Sequence, residues 1–143
     1  MKGNTMTAEI LILALTIYSE AQGEPWRGKA AVTDVIVTRS RQSGKTLAHV
    51  CTQPKQFSGW NNLATMNKLI AAVAAGKHRN DYAWKDCLAL AELASRPGYR
   101  VKIRASHFYA PARVKRVPSW VKAMREVAVI SGHRFMIEKK NAK

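Results

Sequence analysis

Nine acidic side chains stand in a chain of 143 residues, so the search for one that could do chemistry is short. Glu9 lies where it favours a helix start, Asp81 where it caps one, and Glu126 and Glu138 are flanked by bases. Glu20 and Glu24 differ. They bracket a joint between an apolar helix and a Gly-Pro turn, in Ser19-Glu20-Ala21-Gln22-Gly23-Glu24-Pro25-Trp26. A carboxyl at the end of an apolar helix is half-desolvated at a cleft edge, where its pKa rises and it keeps its proton. Cleavage of a glycosidic bond requires such an acid beside the leaving oxygen. The same two residues could instead do no more than cap the helix that follows.

The elements that must position this joint read as helices. Thr7 is the N-cap of a helix running to about Tyr18 or Glu20, with Leu11, Leu15 and Tyr18 on one face beside Ala14. Lys2 followed by Ile10 to Ile17, then Ser19-Glu20-Ala21, imitates a secretory signal. A single Lys and the placement of Glu9 favour a first helix retained in the mature protein. No run approaches the roughly 20 apolar residues of a membrane span. Pro25 opens a second helix, Trp26 to about Arg41, with Ala31, Val32, Val35 and Ile36 as its buried stripe and Ser43-Gly44 as its end. A short turn at Thr46 to Val50 and a loop around Pro54 and Gly59 follow. Asn62 begins a helix with Leu63, Met66, Leu69, Ile70 and Val73 inward, closed by Gly76; Asn80 or Asp81 caps another carrying Trp84, Leu88 and Ala91. Val101 to Tyr109 alternates as an extended segment. Pro118 or Ser119 starts a last helix to about Ile130, before a short extended tail. The expectation is one mainly α (α+β) domain over residues 1–143 with a minor extended part.

Composition bounds the partners. Apolar residues are 47% of the chain, an ordinary globular share, and 24 basic against 9 acidic side chains give a net charge of +15. Such a surface seeks polyanions: nucleic acid, anionic lipid or the acidic bacterial envelope. The excess is uneven, since residues 1–75 hold 8 bases and 4 acids whereas residues 76–143 hold 16 and 5. Cys51 and Cys87 read as two free, semi-buried thiols. His49, His78 and His133 have no carboxylate or Cys at ligand spacing, so neither a metal nor a cofactor is expected.

Three ordered blocks carry a resemblance. Ile17 to Val32, with its Glu20-Ala21-Gln22-Gly23-Glu24 core, resembles the opening motif of the SleB/CwlJ-like cell-wall hydrolases. Gln53-Pro54-Lys55-Gln56-Phe57-Ser58 is similar to that family's Q-P-x-Q-F-S loop. Ser106-His107-Phe108-Tyr109-Ala110-Pro111, Pro118-Ser119-Trp120 and Gly132-His133-Arg134-Phe135 resemble its closing segments. The likeness spans about residues 10 to 136. Thr38 before Arg39, Ala110 after the H-F-Y triplet and Met136 depart from the usual Asn, Asn and Tyr.

The resemblance implies a lysozyme-like fold and cleavage of peptidoglycan glycan strands, by a lytic transglycosylase in preference to a lysozyme-type hydrolase. It maps the catalytic acid onto Glu20. Glu24 reads as structural, receiving backbone N–H groups where Pro25 opens the next helix. In a sugar cleft Gln56 and Ser58 would offer hydrogen bonds, Phe57 and Trp60 stacking faces, and Tyr109 a hydroxyl. His107 would act as a base or, in an extended segment, as an orienting group. Trp84 and Trp120 read as packing. The implied partners are bacterial peptidoglycan and the anionic envelope surface, bound by a monomer. The implied setting is a bacteriophage endolysin, made without a signal peptide in the host cytoplasm and delivered to the wall by a holin-like partner.

Two other classes fit the charge. A nucleic-acid binder matches +15 but lacks zinc-finger spacing, an RNP motif or a clear helix-turn-helix. A membrane-permeabilising role could rest on the basic stretch from Ala112 to Lys143, with Arg113, Lys115, Arg116, Lys122 and Arg125 beside Val114, Val117, Trp120, Val121 and Met124.

Overall fold

The computed structural model describes residues 6–54 and 56–139. Six helices run in chain order: α1 (Ala8–Ala21), α2 (Trp26–Ser43), α3 (Leu47–Thr52), α4 (Ser58–Asn61), α5 (Leu63–Ala74) and α6 (Tyr82–Ala94). Three strands, β1 (His107–Tyr109), β2 (Met124–Ile130) and β3 (His133–Glu138), form an antiparallel sheet in the order β1-β3-β2. The fold is mainly α with this minor sheet, as the sequence implies. Lys2 and Lys55 fall outside the described residues.

Helix α1 is the central post. The Thr7 hydroxyl caps it by accepting from the Ile10 N–H at 3.2 Å, and Glu9 sits in its first turn. Every residue from Leu13 to Tyr18 is buried, so the apolar run Ile10 to Ile17 is a core helix covered on all sides rather than a one-faced amphipathic one. The hydroxyl of Thr16 is satisfied twice: Oγ1 donates to the Ile12 carbonyl at 2.7 Å and accepts from Trp60 Nε1 at 2.8 Å.

Helix α2 is as deeply sunk, although it carries Lys29, Thr33, Asp34 and Thr38 among its buried residues. Burying polar groups costs free energy unless they are bonded. Lys29 Nζ donates to the Glu24 carbonyl, Thr33 Oγ1 to the Lys29 carbonyl at 2.8 Å, and Asp34 accepts three hydrogen bonds from the segment 99–103. The helix ends at Gly44, whose left-handed φ of 71° suits glycine. Cys51 and Cys87 are free thiols, both fully buried.

Asp81 caps α6, accepting from the N–H groups of Ala83 (2.9 Å) and Trp84 (3.3 Å). It also accepts from the Tyr18 hydroxyl at 2.7 Å, which ties α6 to α1 and holds the Asp81 carboxyl down at about 2. Three expectations need correction. Leu63 is 59% exposed and does not face the core; only Met66 of α5 is fully buried. The extended segment shrinks to β1, because Asp34 claims the backbone around Lys102 and Ile103. The helix expected from Pro118 to Ile130 is absent. A short 3-10 turn, Ser119–Ala123, leads into β2, where Val127, Val129 and Ile130 suit a strand and Ile130 pairs with His133 across Ser131-Gly132. Among its described residues the basic stretch is therefore not an amphipathic helix: 3-10 turns and loop carry Arg113 to Lys122, and Met124–Glu138 forms a hairpin. Among the described residues no helix is long and apolar enough to cross a membrane.

Candidate active site

Glu20 ends α1 at the mouth of a cavity of about 640 Å³. One wall is helical: Glu20, Arg39 from α2, and Gln56 and Ser58 from the chain around α4. The other is built on the sheet, with His107 and Tyr109 from β1 and His133 from β3. Arg113, at the end of a 3-10 turn Pro111–Arg113, and Pro118 and Trp120, at the start of the 3-10 turn Ser119–Ala123, form the rim. Thus β1 and β3, far apart in sequence, face the end of α1 because Phe108 pairs with Phe135 in register.

The local sequence explains how Glu20 is held. Gly59 lets α4 approach α1: a Cβ there would stand 2.8 Å from Ser19 Cβ. That approach brings Ser58 Oγ within 3.3 Å of Glu20 Oε2 and turns the Gly59 N–H toward the same carboxyl. Burial nevertheless wins, and the Glu20 pKa lies above the ordinary glutamate value. The Ser58 hydroxyl, the positive fields of His133 and Arg113, and the Gly59 N–H oppose the shift without cancelling it. A carboxyl that is half-buried, lightly bonded and open to a cavity can hold a proton and release it.

Glu24 does not cap α2; the N-cap is Pro25, with no side-chain hydrogen bond. Its Oε1 accepts from the Gly132 N–H at 3.3 Å and lies 3.3 Å from His133 Nδ1. Glu24 is thus a tie between the α1–α2 turn and the β2–β3 turn, and the approach is close: a Cβ at Gly132 would come 3.3 Å from Glu24 Oε2. The Glu24–His133 approach lacks hydrogen-bond geometry, so His133 Nδ1 is buried without a hydrogen-bond partner.

Of the expected sugar contacts, Gln56, Phe57, Ser58, His107 and Tyr109 line the cavity, and Trp60 does not. Gln56 Oε1 accepts from Arg39, His107 Nδ1 is 2.9 Å from Ser106 Oγ, and the Tyr109 hydroxyl accepts from Arg134 at 2.9 Å. Burial and the nearby Arg39 push the His107 pKa down, which favours a neutral imidazole. Phe57 is less open than a stacking face requires: it lies in the floor of the cavity, 1% exposed, with the Arg39 guanidinium 5.5 Å from its ring. Trp60 is corrected too, because it packs on the core and spends its N–H on Thr16. Trp120, read as packing, is instead the aromatic wall, its ring 5.1 Å from His107 and 5.9 Å from Tyr109. Trp84 is packing, 5% exposed. Asp34 lies outside the cleft, bonded by Tyr99 (2.6 Å), Lys102 N and Ile103 N (both 2.9 Å). Arg39, Arg113 and His133 carried no site assignment from sequence. The Arg39 signal was the expected Asn-Arg pair, and the G-x-H-x-F block held His133.

Ser58 also belongs to a second hollow of about 330 Å³, walled by Tyr18 and Ser19 of α1, by Gln22 that caps its end, and by Thr65, Met66 and Leu69 of α5. A ligand crossing Ser58 would touch both.

A model of the cell wall hydrolase family matches residues 23–136 of the chain. Among solved structures, the catalytic domain of the germination-specific lytic transglycosylase SleB from Bacillus anthracis is similar, with 23% identity, a TM-score of 0.61, and 95% of this chain and 99% of that chain covered. The catalytic domain of the Bacillus cereus SleB protein aligns with 24% identity, a TM-score of 0.60, and 94% of each chain covered. These likenesses show a shared fold. No curated protein sequence matches significantly.

Proposed function

This chain belongs to the cell wall hydrolase family, and from that premise we propose that it cuts the MurNAc-GlcNAc glycan strand of peptidoglycan with Glu20 as its single acid and base. The observation that carries the reading is the Glu20 carboxyl itself, raised in pKa by burial and, among the described residues, the only carboxyl lining the cleft. A retaining or inverting hydrolase normally employs two carboxylates about 5–9.5 Å apart. Glu24 is occupied by Gly132 and stands behind His133, and Asp34 is occupied by three donors elsewhere.

One carboxyl suffices for a lytic transglycosylase. Glu20 gives its proton to the glycosidic oxygen as the bond from the muramyl anomeric carbon breaks. The muramyl 6-hydroxyl attacks that carbon, and the Glu20 carboxylate takes the hydroxyl proton, leaving a 1,6-anhydro end and the enzyme as it began. Gln56 and Tyr109 would hold sugar hydroxyls and amides, Trp120 would cover a sugar face, and the strand would pass Ser58 into the second hollow. Digestion of purified peptidoglycan followed by mass analysis tests this. Anhydro fragments are expected; fragments heavier by one water would make Glu20 the acid of a hydrolase, and no glycan release would remove the reading.

We also propose that the protein acts as a phage endolysin, carried to the envelope by its +15 charge once a holin-like partner opens the membrane. Host cells expressing it should lyse only when a membrane-permeabilising protein is co-expressed; lysis without one would overturn the proposal.

A further inference from the structure

The cleft sets basic groups against one acid. Against Glu20 it presents the guanidinium groups of Arg39 and Arg113 and the rings of His107 and His133. Arg39 is half-buried, and burial pulls its pKa down. Its contacts are neutral: it donates to Gln56 Oε1 and lies over the Phe57 ring. The ion pairs Lys29–Asp86, His78–Asp81, His133–Glu24 and Arg134–Glu126 engage neither Arg39 nor Arg113. Glu138 lies across a separate hollow of about 260 Å³ behind Arg39, where its field acts on His107. A half-buried cation without an acidic partner is costly, and an anion arriving in the cavity removes that cost.

We propose that Arg39 and Arg113 form a carboxylate-recognition site in the cleft, which takes the acidic side chain of the muramyl residue next to the cut. The inference rests on the peptidoglycan reading and adds its specificity. The shared chemistry is a carboxylate, supplied by the lactyl group of a stripped strand or by the stem peptide of an intact one. Arg guanidinium suits it through its planar pair of donors. The site is coupled to the acid, because Arg113 is one of the charges that oppose the upward shift of Glu20. The other groups facing Glu20 are Ser58, the Gly59 N–H and His133, with Glu24 behind His133; a substrate carboxylate on Arg113 leaves these in place and cancels one positive field. Binding the right substrate thereby favours the protonated acid.

The test uses four soluble glycan substrates: strands with stem peptides, strands stripped by an amidase, and both after carbodiimide amidation of their carboxyls. For the wild-type chain, amidation should raise KM about tenfold, the size of a lost charged hydrogen bond. The arm that loses more names the carboxylate. The alkaline limb of kcat should lie above that of kcat/KM on carboxylate substrates, and the two should converge on amidated ones. Arg39→Gln and Arg113→Gln should raise KM on untreated strands and be indifferent to amidation, while Arg39→Lys restores part of the loss. Arg113 is exposed, so its variant carries the test alone if Arg39→Gln fails to fold. Equal KM for wild type on amidated and untreated strands would overturn the site. Absence of cleavage on every substrate would instead overturn the peptidoglycan reading.

Discussion

The end of α1 and the middle of α2 each bury a carboxyl beside the same core, yet they are built to opposite ends. Asp34 is 2% exposed and accepts three hydrogen bonds between 2.6 and 2.9 Å, one from Tyr99 and two from backbone N–H groups. Glu20 has one hydroxyl at 3.3 Å, one backbone N–H and an open cavity in front of it. A fully bonded carboxylate is a structural anchor, because any change in its charge strands its donors. An under-bonded one at a cavity edge stays available for proton transfer. The difference lies in depth and in the neighbours: Asp34 is sunk and fully bonded, Glu20 half-buried and lightly bonded.

The sharpest way to break this contrast is to remove each charge and measure rate and stability separately. Glu20→Gln should lower the rate of glycan cleavage at least 10²- to about 10⁴-fold, the range for a general acid and base, with an unchanged circular dichroism spectrum. Retention of more than a tenth of the activity would take Glu20 out of the chemistry. Asp34→Ala should do the converse. It strands the Tyr99 hydroxyl and two N–H groups, at a cost of about 3 kcal/mol in urea unfolding, while activity per folded molecule holds. If Asp34→Ala instead removed the rate and spared stability, Asp34 would be a second carboxylate and the hydrolase mechanism would return.

Much of this was legible in the chain. The joint Glu20-Ala21-Gln22-Gly23-Glu24-Pro25 announces an acid at a helix end, and the caps Thr7 and Asp81 mark two helix starts, because these signals are local. What was not legible depends on tertiary neighbours. The segment from Ser119 to Ile130 carries apolar residues compatible with either a helix or a strand, and pairing with β3 decides between them. Phe57 and Trp60 look alike as stacking candidates to Trp120, but only the fold shows which ring is spent on the core. From sequence alone Asp34, turned from the apolar stripe of α2, could orient a water as a second carboxylate; the segment 99–103, which supplies three donors to it, is a tertiary neighbour.

Glu24 tests an intermediate case, since it sits four residues from Glu20 and is tied as Asp34 is, with fewer donors. Glu24→Gln should cost about 1 kcal/mol by loosening the bond to Gly132 and the contact with His133, and should leave product chemistry unchanged. Thermal unfolding and the masses of the released fragments check it. A loss of rate as deep as that of Glu20→Gln, at unchanged stability, would place Glu24 in the reaction.

The smallest effect is the most specific to the contrast, and it concerns the stability of Glu20→Gln rather than its activity. Burial raises the folded-state pKa of Glu20 above its unfolded value, so the folded chain binds this proton more tightly than the unfolded chain does. The resulting stabilisation is fully present below the unfolded pKa, near 4.3 for a free glutamate, and is lost as pH rises through the higher folded value. At neutral pH the ionised carboxyl is therefore a net cost that the neutral glutamine does not carry. Glu20→Gln should melt above wild type at pH 7 to 8, and the gap should narrow as pH is lowered toward 4. Melting curves of the two proteins across that range decide the matter. A variant that melts below wild type at neutral pH, or a gap that does not change with pH, would mean that Glu20 is as well satisfied as Asp34, and the distinction between the two sites would fall.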